Sequence, residues 1–241
     1  MTRMETIHTE PIAAMPAACS ACPVRDAAVC AALEPAELDA FSRIGRHRHF
    51  ARGETIFAAG DDSVACATLV RGAVKLCSTG ADGVERIVAL VHPAGLLGQL
   101  FFAQIRYDAV ALTDSELCLV PRGDFERLMR EAPALQQSVL QRSVSDLDDA
   151  RALTDLIGRR DSRGRVAGLL LAFAAAAGPG CHRAERFDLP LTRGEIAGLL
   201  GLTIETVSRQ LSALEQTGLI ERVGTRGIIL RDADALGALL D

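Results

Sequence analysis

The chain has 241 residues, of which 49% are hydrophobic and 24% are charged, and its formal net charge is −5. This length allows two domains that each bury a core, and the negative charge excludes a polycation that binds nucleic acid through charge alone. The richest apolar run, 166–177, is too short to span a bilayer, and the first residues lack the apolar stretch of a secretory leader. We therefore expect a cytoplasmic protein with no membrane partner.

An N-terminal arm, predicted over 1–34, carries a distinctive cysteine spacing. Three of the seven cysteines, Cys19, Cys22 and Cys30, form a C-x2-C-x7-C pattern. Reduced cytosolic thiols favour metal or redox roles over disulfides, and a C-x2-C pair lets two thiolates converge on one centre. A four-thiolate site needs one more ligand, for which the sequence offers four cysteines: Cys66, Cys77, Cys118 and Cys181. The alternative is that all are ordinary small apolar residues.

The next segment, 35–130, is predicted to be a sensor domain built from short strands. Stretches rich in β-forming residues alternate with glycines, which supply the turns. Strands are predicted at 55–57, 67–70, 74–76, 86–90, 109–112 and 117–120. This spacing is typical of an antiparallel barrel or double-sheet roll, in which Cys66 and Cys77 would fill the core.

A long helical pattern follows over 124–157, and its later part, 131–158, is predicted to be a dimerisation helix. Apolar or small residues recur at steps of three and four, as in a coiled-coil seam: Leu140, Ser143, Leu147, Ala150, Thr154 and Ile157. Acidic residues flank the seam at Asp146, Asp148 and Asp149, so we expect a marginal homodimer. The alternative is a helix that packs on its own domain.

The C-terminal part, 159–241, is predicted to be a winged helix-turn-helix domain. Thr192 and Glu195 form a capping box that opens one helix, Gly201 ends it, and Thr203 caps a second helix. Two strands, 219–223 and 228–230, then form a wing around a glycine-flanked turn. From residue 159 onward the chain has 11 Arg and no Lys against 10 Asp and Glu, a balance compatible with specific binding of double-stranded DNA.

The second helix of this motif presents residues that can read base edges. Glu205, Ser208 and Arg209 face outward, and all three residue types occur in major-groove recognition. The simpler alternative is that Glu205 and Arg209 form a surface ion pair. Further DNA contacts are predicted at Thr192, Arg193, Thr203, Thr206 and Arg226.

A glycine-rich roll, a long helix and a winged helix-turn-helix together resemble the CRP/FNR family of bacterial transcription regulators over residues 19–240. The most specific segment, LGLTIETVSRQLSALEQTGLI (200–220), is similar to the recognition region of the FNR branch, which reads DNA with Glu-x-x-Ser-Arg. The resemblance implies an α+β fold: an N-terminal antiparallel β-roll (a cyclic-nucleotide-binding-like jelly roll), a long dimerisation helix and a C-terminal winged helix-turn-helix.

The resemblance also implies a sensor and partners. In the FNR branch, three N-terminal cysteines and one late in the roll hold an oxygen-labile [4Fe-4S] cluster; by position these are Cys19, Cys22, Cys30 and Cys118. The C-x2-C-x7-C gap is longer than in the enteric-type pattern. The family implies a homodimer on inverted repeats with TTGAT-like half-sites, and contact with RNA polymerase through surface loops such as 80–84. Cyclic AMP is not expected, since Gln99 and Tyr107 stand where nucleotide-binding relatives carry a carboxylate and a small hydroxyl.

Rival interpretations use the same architecture with another sensor, or the cysteines for other chemistry. Haem could be held in the roll by His47, His49 or His92, and zinc, nitric oxide or a small ligand are further alternatives. A thiol redox enzyme using Cys19 and Cys22 would lack a thioredoxin-like context, and a helix-turn-helix would serve no purpose in it. We therefore expect no enzymatic activity.

Overall fold

A computed structural model describes residues 19–178 and 185–240; the candidate ligand Cys181 lies outside the described residues. Two 3-10 turns, Cys19–Ala21 and Val29–Ala32, precede helix α1, Pro35–Ile44. Eight strands follow: β1 Arg46–Phe50, β2 Thr55–Phe57, β3 Ala65–Arg71, β4 Val74–Thr79, β5 Glu85–Val91, β6 Leu96–Leu97, β7 Asp108–Ala111 and β8 Ser115–Pro121. Next come α2 Arg122–Glu131, α3 Pro133–Gly158 and α4 Ser162–Ala177. The chain continues with β9 Arg186–Asp188, α5 Arg193–Leu200, α6 Ile204–Gln216, β10 Ile220–Val223, β11 Gly227–Leu230 and α7 Ala233–Gly237.

The first eight strands form two antiparallel sheets in the orders β1-β8-β3-β6 and β2-β7-β4-β5. Apolar side chains from both sheets fill the space between them, including Phe50, Leu69, Val74, Leu97 and Leu117. All six predicted strands are present, and the predicted α+β fold with its antiparallel roll is confirmed. Strand β1 was not predicted, because its sequence RHRHF is polar and mostly exposed and therefore carries little apolar signal.

The first sheet is also apolar on the face that points away from the second sheet. Packing between the two sheets alone does not require this. Side chains alternate between faces along a strand. Ala67 and Leu117 face the roll interior. Cys66, Cys118 and Val120 belong to a second core formed with the N-terminal arm, α2 and the start of α3. The arm is therefore packed against the sheet.

The predicted continuous helix over 124–157 is wrong, because it is two helices. Helix α2 ends at Glu131 and α3 begins at Pro133. Ala132 between them has φ −119° and ψ 90°, an extended conformation. A residue before proline is sterically pushed out of the helical region, whereas proline is well suited to the first turn of the next helix.

Helix α3 uses only part of its surface within its own chain. Leu135, Val139 and Leu156 are buried. The opposite side leaves a series of apolar residues exposed, which we call the dimer stripe: Leu140, Val144, Leu147, Ala150 and Ile157. Val144 was not part of the predicted seam. Packing on its own domain therefore does not account for these side chains within the described chain.

The core of the C-terminal domain is formed mainly by α4, the two helices of the helix-turn-helix motif and the wing. The wing sheet has three strands in the order β10-β11-β9, where the sequence predicted a two-stranded hairpin. Strand β9 is only three residues long, with burial alternating between exposed and buried, so it gives almost no periodic signal. None of the described helices combines the length and hydropathy needed to cross a membrane.

The roll and the C-terminal domain touch directly. Ala73 and Leu112 of the roll are buried in the same core as the helix-turn-helix, and Ile87 and Leu90 of β5 pack against it. The position of the C-terminal domain is thus coupled to strands of the roll.

Candidate DNA-binding surface and cysteine group

The first helix of the helix-turn-helix motif, α5, begins with the predicted capping box. The Glu195 backbone N–H donates to Thr192 Oγ1 at 3.2 Å, and Glu195 Oε2 accepts from the Thr192 backbone N–H at 2.8 Å. Gly201 ends the helix with φ 62° and ψ 41°, a left-handed conformation that glycine adopts without a steric penalty. The turn that sets the angle between the two helices is therefore specified locally.

The second helix, α6, is oriented by its buried face. Val207, Leu211 and Leu214 are buried in the domain core. Glu205 and Arg209, on the opposite side, are exposed, and Ser208 is half-buried. A helix with one buried face presents the other as a continuous surface, so Glu205 and Arg209 share the face that can enter a groove.

The two exposed side chains that are predicted to read bases are not engaged in ion pairs. Within the described residues, neither Glu205 nor Arg209 forms an ion pair, so the surface-pair alternative is not observed. The Glu205 backbone N–H and the Thr203 side chain lower the pKa of the Glu205 carboxyl, which keeps it ionised as an acceptor. Arg193 Nη1 donates to Ser208 Oγ at 3.1 Å and so connects the two helices across the motif.

The predicted phosphate contacts divide into capping residues and exposed arginines. The Thr192, Thr203 and Thr206 hydroxyls take part in helix capping, and Thr203 Oγ1 lies 3.1 Å from Thr206 Oγ1. Arg193 and Arg226 are exposed, the latter in the turn of the wing between β10 and β11. Their roles in DNA contact stay predictions.

Five cysteines from three parts of the chain belong to one core, namely Cys66 and the four predicted cluster ligands. Cys30 and Cys118 are buried there, and Cys19 and Cys22 are half-buried and pack against it. We call these residues the four-cysteine group. Cys19 and Cys22 lie in the first turns of the arm, where the Cys22 backbone N–H donates to the Cys19 carbonyl at 3.2 Å. Cys118 projects from the outer face of β8 and meets them there.

The four thiols influence one another electrostatically. Burial, followed by the neighbouring thiols of Cys19, Cys30, Cys22 and Cys66, raises the pKa of the Cys118 thiol to about 12. Burial, then Cys19 and Cys22, raise the pKa of Cys30 to about 11. Thiolates in this environment would repel one another without water to screen them. A cationic centre would remove that penalty, so the donor set fits a thiolate-ligated metal group.

The spacing of the thiols bears on the kind of centre. No described group of three or more His, Cys, Asp or Glu side chains converges closely enough for a single metal ion. A single zinc ion requires all its thiolates about 2.3 Å from one point. The kind of centre that the four-cysteine group would hold stays a prediction.

Gly45 makes room beside Cys118. A Cβ atom at this position would lie 3.1 Å from Cys118 Sγ, closer than side chains normally approach. Its backbone, φ −67° and ψ 139°, is open to any residue, so space around the thiol, and not conformation, favours glycine here. No sequence pattern pointed to Gly45.

The histidines proposed as haem ligands have other surroundings. His47 Nδ1 lies 2.7 Å from Glu116 Oε1 across β1 and β8. His92 packs edge-on against Phe173 with ring centroids 5.3 Å apart, and its burial lowers the pKa of the imidazole. The roll interior between the sheets is filled with apolar side chains. The predictions about haem and cyclic AMP otherwise stay predictions.

A lysine missed by sequence reasoning joins the roll to the helix-turn-helix motif. Lys75 Nζ on β4 donates to Glu85 Oε1 at 2.5 Å and to Glu195 Oε1 at 3.1 Å. Burial lowers the pKa of Lys75, but the hydrogen bonds to the two carboxylates outweigh this and the pKa is raised. The ion pairs therefore hold the capping glutamate of α5 against the roll.

Replacing Lys75 with methionine is expected to destabilise the protein by about 1–3 kcal/mol, because the partly buried Glu195 carboxylate loses its closer cationic partner and keeps only Arg52 Nη2 at 3.9 Å. This is below the value for a fully buried pair, since Glu85 is 43% exposed. Urea unfolding measures the loss, with Arg127→Ala, which breaks the exposed pair with Asp124, as the control.

The pH dependence tests the same contact. The pKa of Glu195 is lowered, against its burial, by hydrogen bonds from Thr192 and Lys75. The contribution of Glu195 to the free energy of unfolding is thus present above its unfolded pKa of about 4.3. It is lost as pH falls through the lower pKa of the folded state. The contribution of Lys75 is present below about pH 10.4 and lost as pH rises through its raised folded pKa. The difference in free energy of unfolding between the parent and the Lys75→Met variant should therefore shrink at both low and high pH. A difference that stayed constant at either end would contradict this assignment.

Comparisons with known proteins agree with this arrangement. Residues 164–239 match the Crp-like helix-turn-helix domain and residues 47–132 the cyclic nucleotide-binding domain. A protein of Rhizobium leguminosarum bv. viciae named probable transcriptional activator is 39% identical over 225 residues, 93% of this chain and 94% of that protein. The transcriptional activator protein FnrL of Cereibacter sphaeroides is 37% identical over 218 residues, 89% and 88% of the two chains. The solved structure of FixK2 from Bradyrhizobium japonicum has a TM-score of 0.74 at 28% identity, covering 81% of this chain and 97% of that chain. The chain belongs to the CRP/FNR family of transcription regulators.

Proposed function

We propose that this protein is an oxygen-responsive transcriptional activator that senses oxygen through a labile [4Fe-4S] cluster held by Cys19, Cys22, Cys30 and Cys118. The observation that carries the proposal is that these four thiols share one core with the first turns of α3. Similarity to proteins named transcriptional activator, FnrL among them, supports the activating role. The cluster-loaded form acts as a homodimer on inverted repeats of TTGAT-like half-sites and controls anaerobic gene expression.

The exposed face of α6 reads the bases of the DNA. The Arg209 guanidinium can donate two parallel hydrogen bonds to guanine O6 and N7, a contact worth about 1–3 kcal/mol of discrimination. The ionised Glu205 carboxylate accepts from the amino groups of cytosine or adenine. Ser208, already bonded to Arg193, is placed to meet a thymine or a phosphate.

The arm connects the cysteines to the dimerisation helix. Cys30 and its neighbour Val29 lie in a 3-10 turn that packs directly on α3. Leu135 and Val139 of α3 belong to the same core as the four cysteines. When bound, an oxygen-labile cluster supplies an oxygen-dependent cross-link between the arm and β8. Without that link, apolar contacts alone hold the arm against α3.

Because the dimer stripe begins close to the part of α3 on which the arm packs, the position of the arm affects DNA binding. The stripe begins at Leu140, less than two turns after Leu135, so a shift at the start of α3 changes the angle at which two stripes meet. A single helix-turn-helix module binds DNA too weakly to occupy one site among the competing sites of a genome. Oxygen therefore switches the protein off by weakening the dimer. Contact with RNA polymerase is assigned to the exposed turn 80–84, where Val84 is 52% exposed.

The experiment is to purify the full chain without oxygen and record absorption, metal content and DNA affinity before and after exposure to air. We expect a broad band in the blue region that bleaches in air, about four irons per chain, and a parallel loss of dimer and of specific DNA binding. A colourless protein with zinc would contradict the proposed sensor, as would a sharp haem band. Bleaching with unchanged dimer and DNA affinity would contradict the proposed switch.

A further inference from the structure

Two neighbouring phenylalanines are exposed on the roll. Phe101 is 72% and Phe102 is 64% exposed, whereas the other six phenylalanines are buried or half-buried. Exposed aromatic side chains grouped in this way are typical of interaction surfaces. The roll's own packing does not use them.

The loop that carries them, 98–104, is held in place from both sides. Ser63 Oγ donates to the Gln99 carbonyl and the Ser63 backbone N–H to the Ala103 carbonyl, both at 2.7 Å. Arg122 Nη1 donates to the Phe102 carbonyl at 2.6 Å. Phe101 has φ 70°, a left-handed conformation that is rare for a bulky residue and persists only where the surroundings impose it. These hydrogen bonds therefore hold the loop in a conformation that exposes both rings.

The projecting ring of Phe101 lies next to the beginning of α3. It lines a groove of about 260 Å³ together with Met129 and Arg130 of α2 and Gln136 of α3. Gln136 lies one helical turn before Leu140, the first residue of the dimer stripe. The groove, whose lining also includes Glu126, thus places Phe101 beside the start of α3 and close to the dimer stripe.

We propose that Phe101 and Phe102 pack against α3 of a second copy of this chain and extend the dimer interface beyond the coiled-coil seam. This inference rests on the homodimer of the proposed function. The two roll surfaces would be related by the two-fold axis, so each protomer contributes the same pair.

The size of the seam supports this occupant. A stable interface buries about 1,600 Å² in total, and the narrow seam includes the small residues Ser143, Ala150 and Thr154. A phenylalanine buries about 150–250 Å². At the observed exposures, two copies of the pair would add roughly 400–700 Å². The pair would thus supply roughly a quarter or more of the area of a stable interface.

The test measures dimer dissociation by sedimentation equilibrium for the anaerobic full-length protein and for a double variant, Phe101→Ser with Phe102→Ser. We expect the dissociation constant to rise at least about tenfold, with unfolding unchanged because both rings are exposed in the single chain. The matched control is Val84→Ser, an exposed apolar residue in the turn 80–84, which should leave the dimer unaffected. Iron content and absorption, recorded on the same samples, report on the proposed sensor separately.

A fluorescent variant gives a second readout that does not depend on loss of affinity. The chain has no tryptophan, so Phe101→Trp introduces a single reporter. Its emission should be shifted to the blue in the dimer and return to that of an exposed ring on dilution to monomer.

Three outcomes would overturn the inference. The first is a double variant that dimerises within twofold of the parent while the parent is dimeric, whether or not a cluster is present. The second is an unchanged dimer with reduced activation by RNA polymerase, which would assign the loop to the polymerase. The third is a parent chain that stays monomeric with its cluster bound, which would remove the proposed homodimer as well.

Discussion

The Arg209→Ala variant is expected to lose most of its specific DNA affinity while keeping its fold. Arg209 is exposed on α6 and forms no ion pair within the described residues, so its removal leaves the core untouched. Loss of the guanine contact removes about 1–3 kcal/mol per half-site. A dimer uses the residue twice, so the affinity for an inverted repeat should fall by about 2–6 kcal/mol, roughly 30-fold to 20,000-fold.

The measurement is a titration of the cluster-loaded dimer on duplexes carrying the parent half-site and single-base variants, at one fixed salt concentration. Arg209→Ala should lose discrimination at the guanine position and keep its non-specific affinity. Arg226→Ala is the matched control, because it removes the same charge from the wing. We expect it to weaken all sequences alike and to reduce the salt dependence by about one phosphate contact.

Two results would contradict this assignment. Equal losses on specific and non-specific DNA would make Arg209 a phosphate contact. Unchanged affinity would show that Arg209 makes no contact with DNA, and base reading would then have to be assigned to other residues.

The Cys118→Ser variant is expected to lose the iron-sulfur cluster almost completely. Serine has nearly the size of cysteine, so the buried site on β8 should remain packed, but its hydroxyl is a poor ligand for an iron-sulfur centre. Iron per chain and the blue absorption band should fall close to zero under anaerobic purification. Specific DNA binding should fall with them, to the level of the air-exposed parent.

The controls separate ligands from other buried thiols. Cys66 is 1% exposed and lies on the same sheet face as Cys118, and Cys77 is 1% exposed in the other sheet. Burial raises the pKa of each of these thiols to about 12. Cys66→Ala and Cys77→Ala should each retain the cluster. Retention of iron in Cys118→Ser combined with its loss in Cys66→Ala would move the fourth ligand to Cys66.

The Gly45→Val variant tests the same site with all thiols in place. Its side chain would crowd Cys118 Sγ without straining the backbone, since φ −67° suits any residue. We expect normal folding, a lower iron content and faster bleaching in air. Gly123→Val is the matched control, because a Cβ at Gly123 meets nothing within 4 Å. Equal cluster content in the two variants would show that space beside Cys118 is unimportant.

The features predicted well from sequence are those determined within a few residues. The capping box of Thr192 and Glu195, the left-handed Gly201 and the cap at Thr203 involve partners three residues apart or single-residue conformations. The roll strands were located because stretches of β-forming residues are separated by glycines that form the turns. The error in the predicted long helix also has a local cause. The break at Ala132 follows from Pro133, a signal that was present but weighed less than helical periodicity.

Contacts between distant segments could not be derived in the same way. Lys75 was unremarkable in the sequence, and its role arises because β4 faces the start of α5 in the folded chain. The exposure of Phe101 and Phe102 also depends on packing, since an apolar pair in a loop is as compatible with burial as with projection.

The sequence by itself determined the order of the main parts of the chain, the helix caps, the exposed face of α6 and the resemblance to a family. Tertiary structure alone decided that Cys19, Cys22, Cys30 and Cys118 share a core, that this core includes the start of α3, and that Phe101 lies beside the start of α3. The physical reason is that hydrogen bonds and periodicity act over one or two turns. The meeting of an arm, a strand and a helix depends instead on how separate apolar faces are buried together.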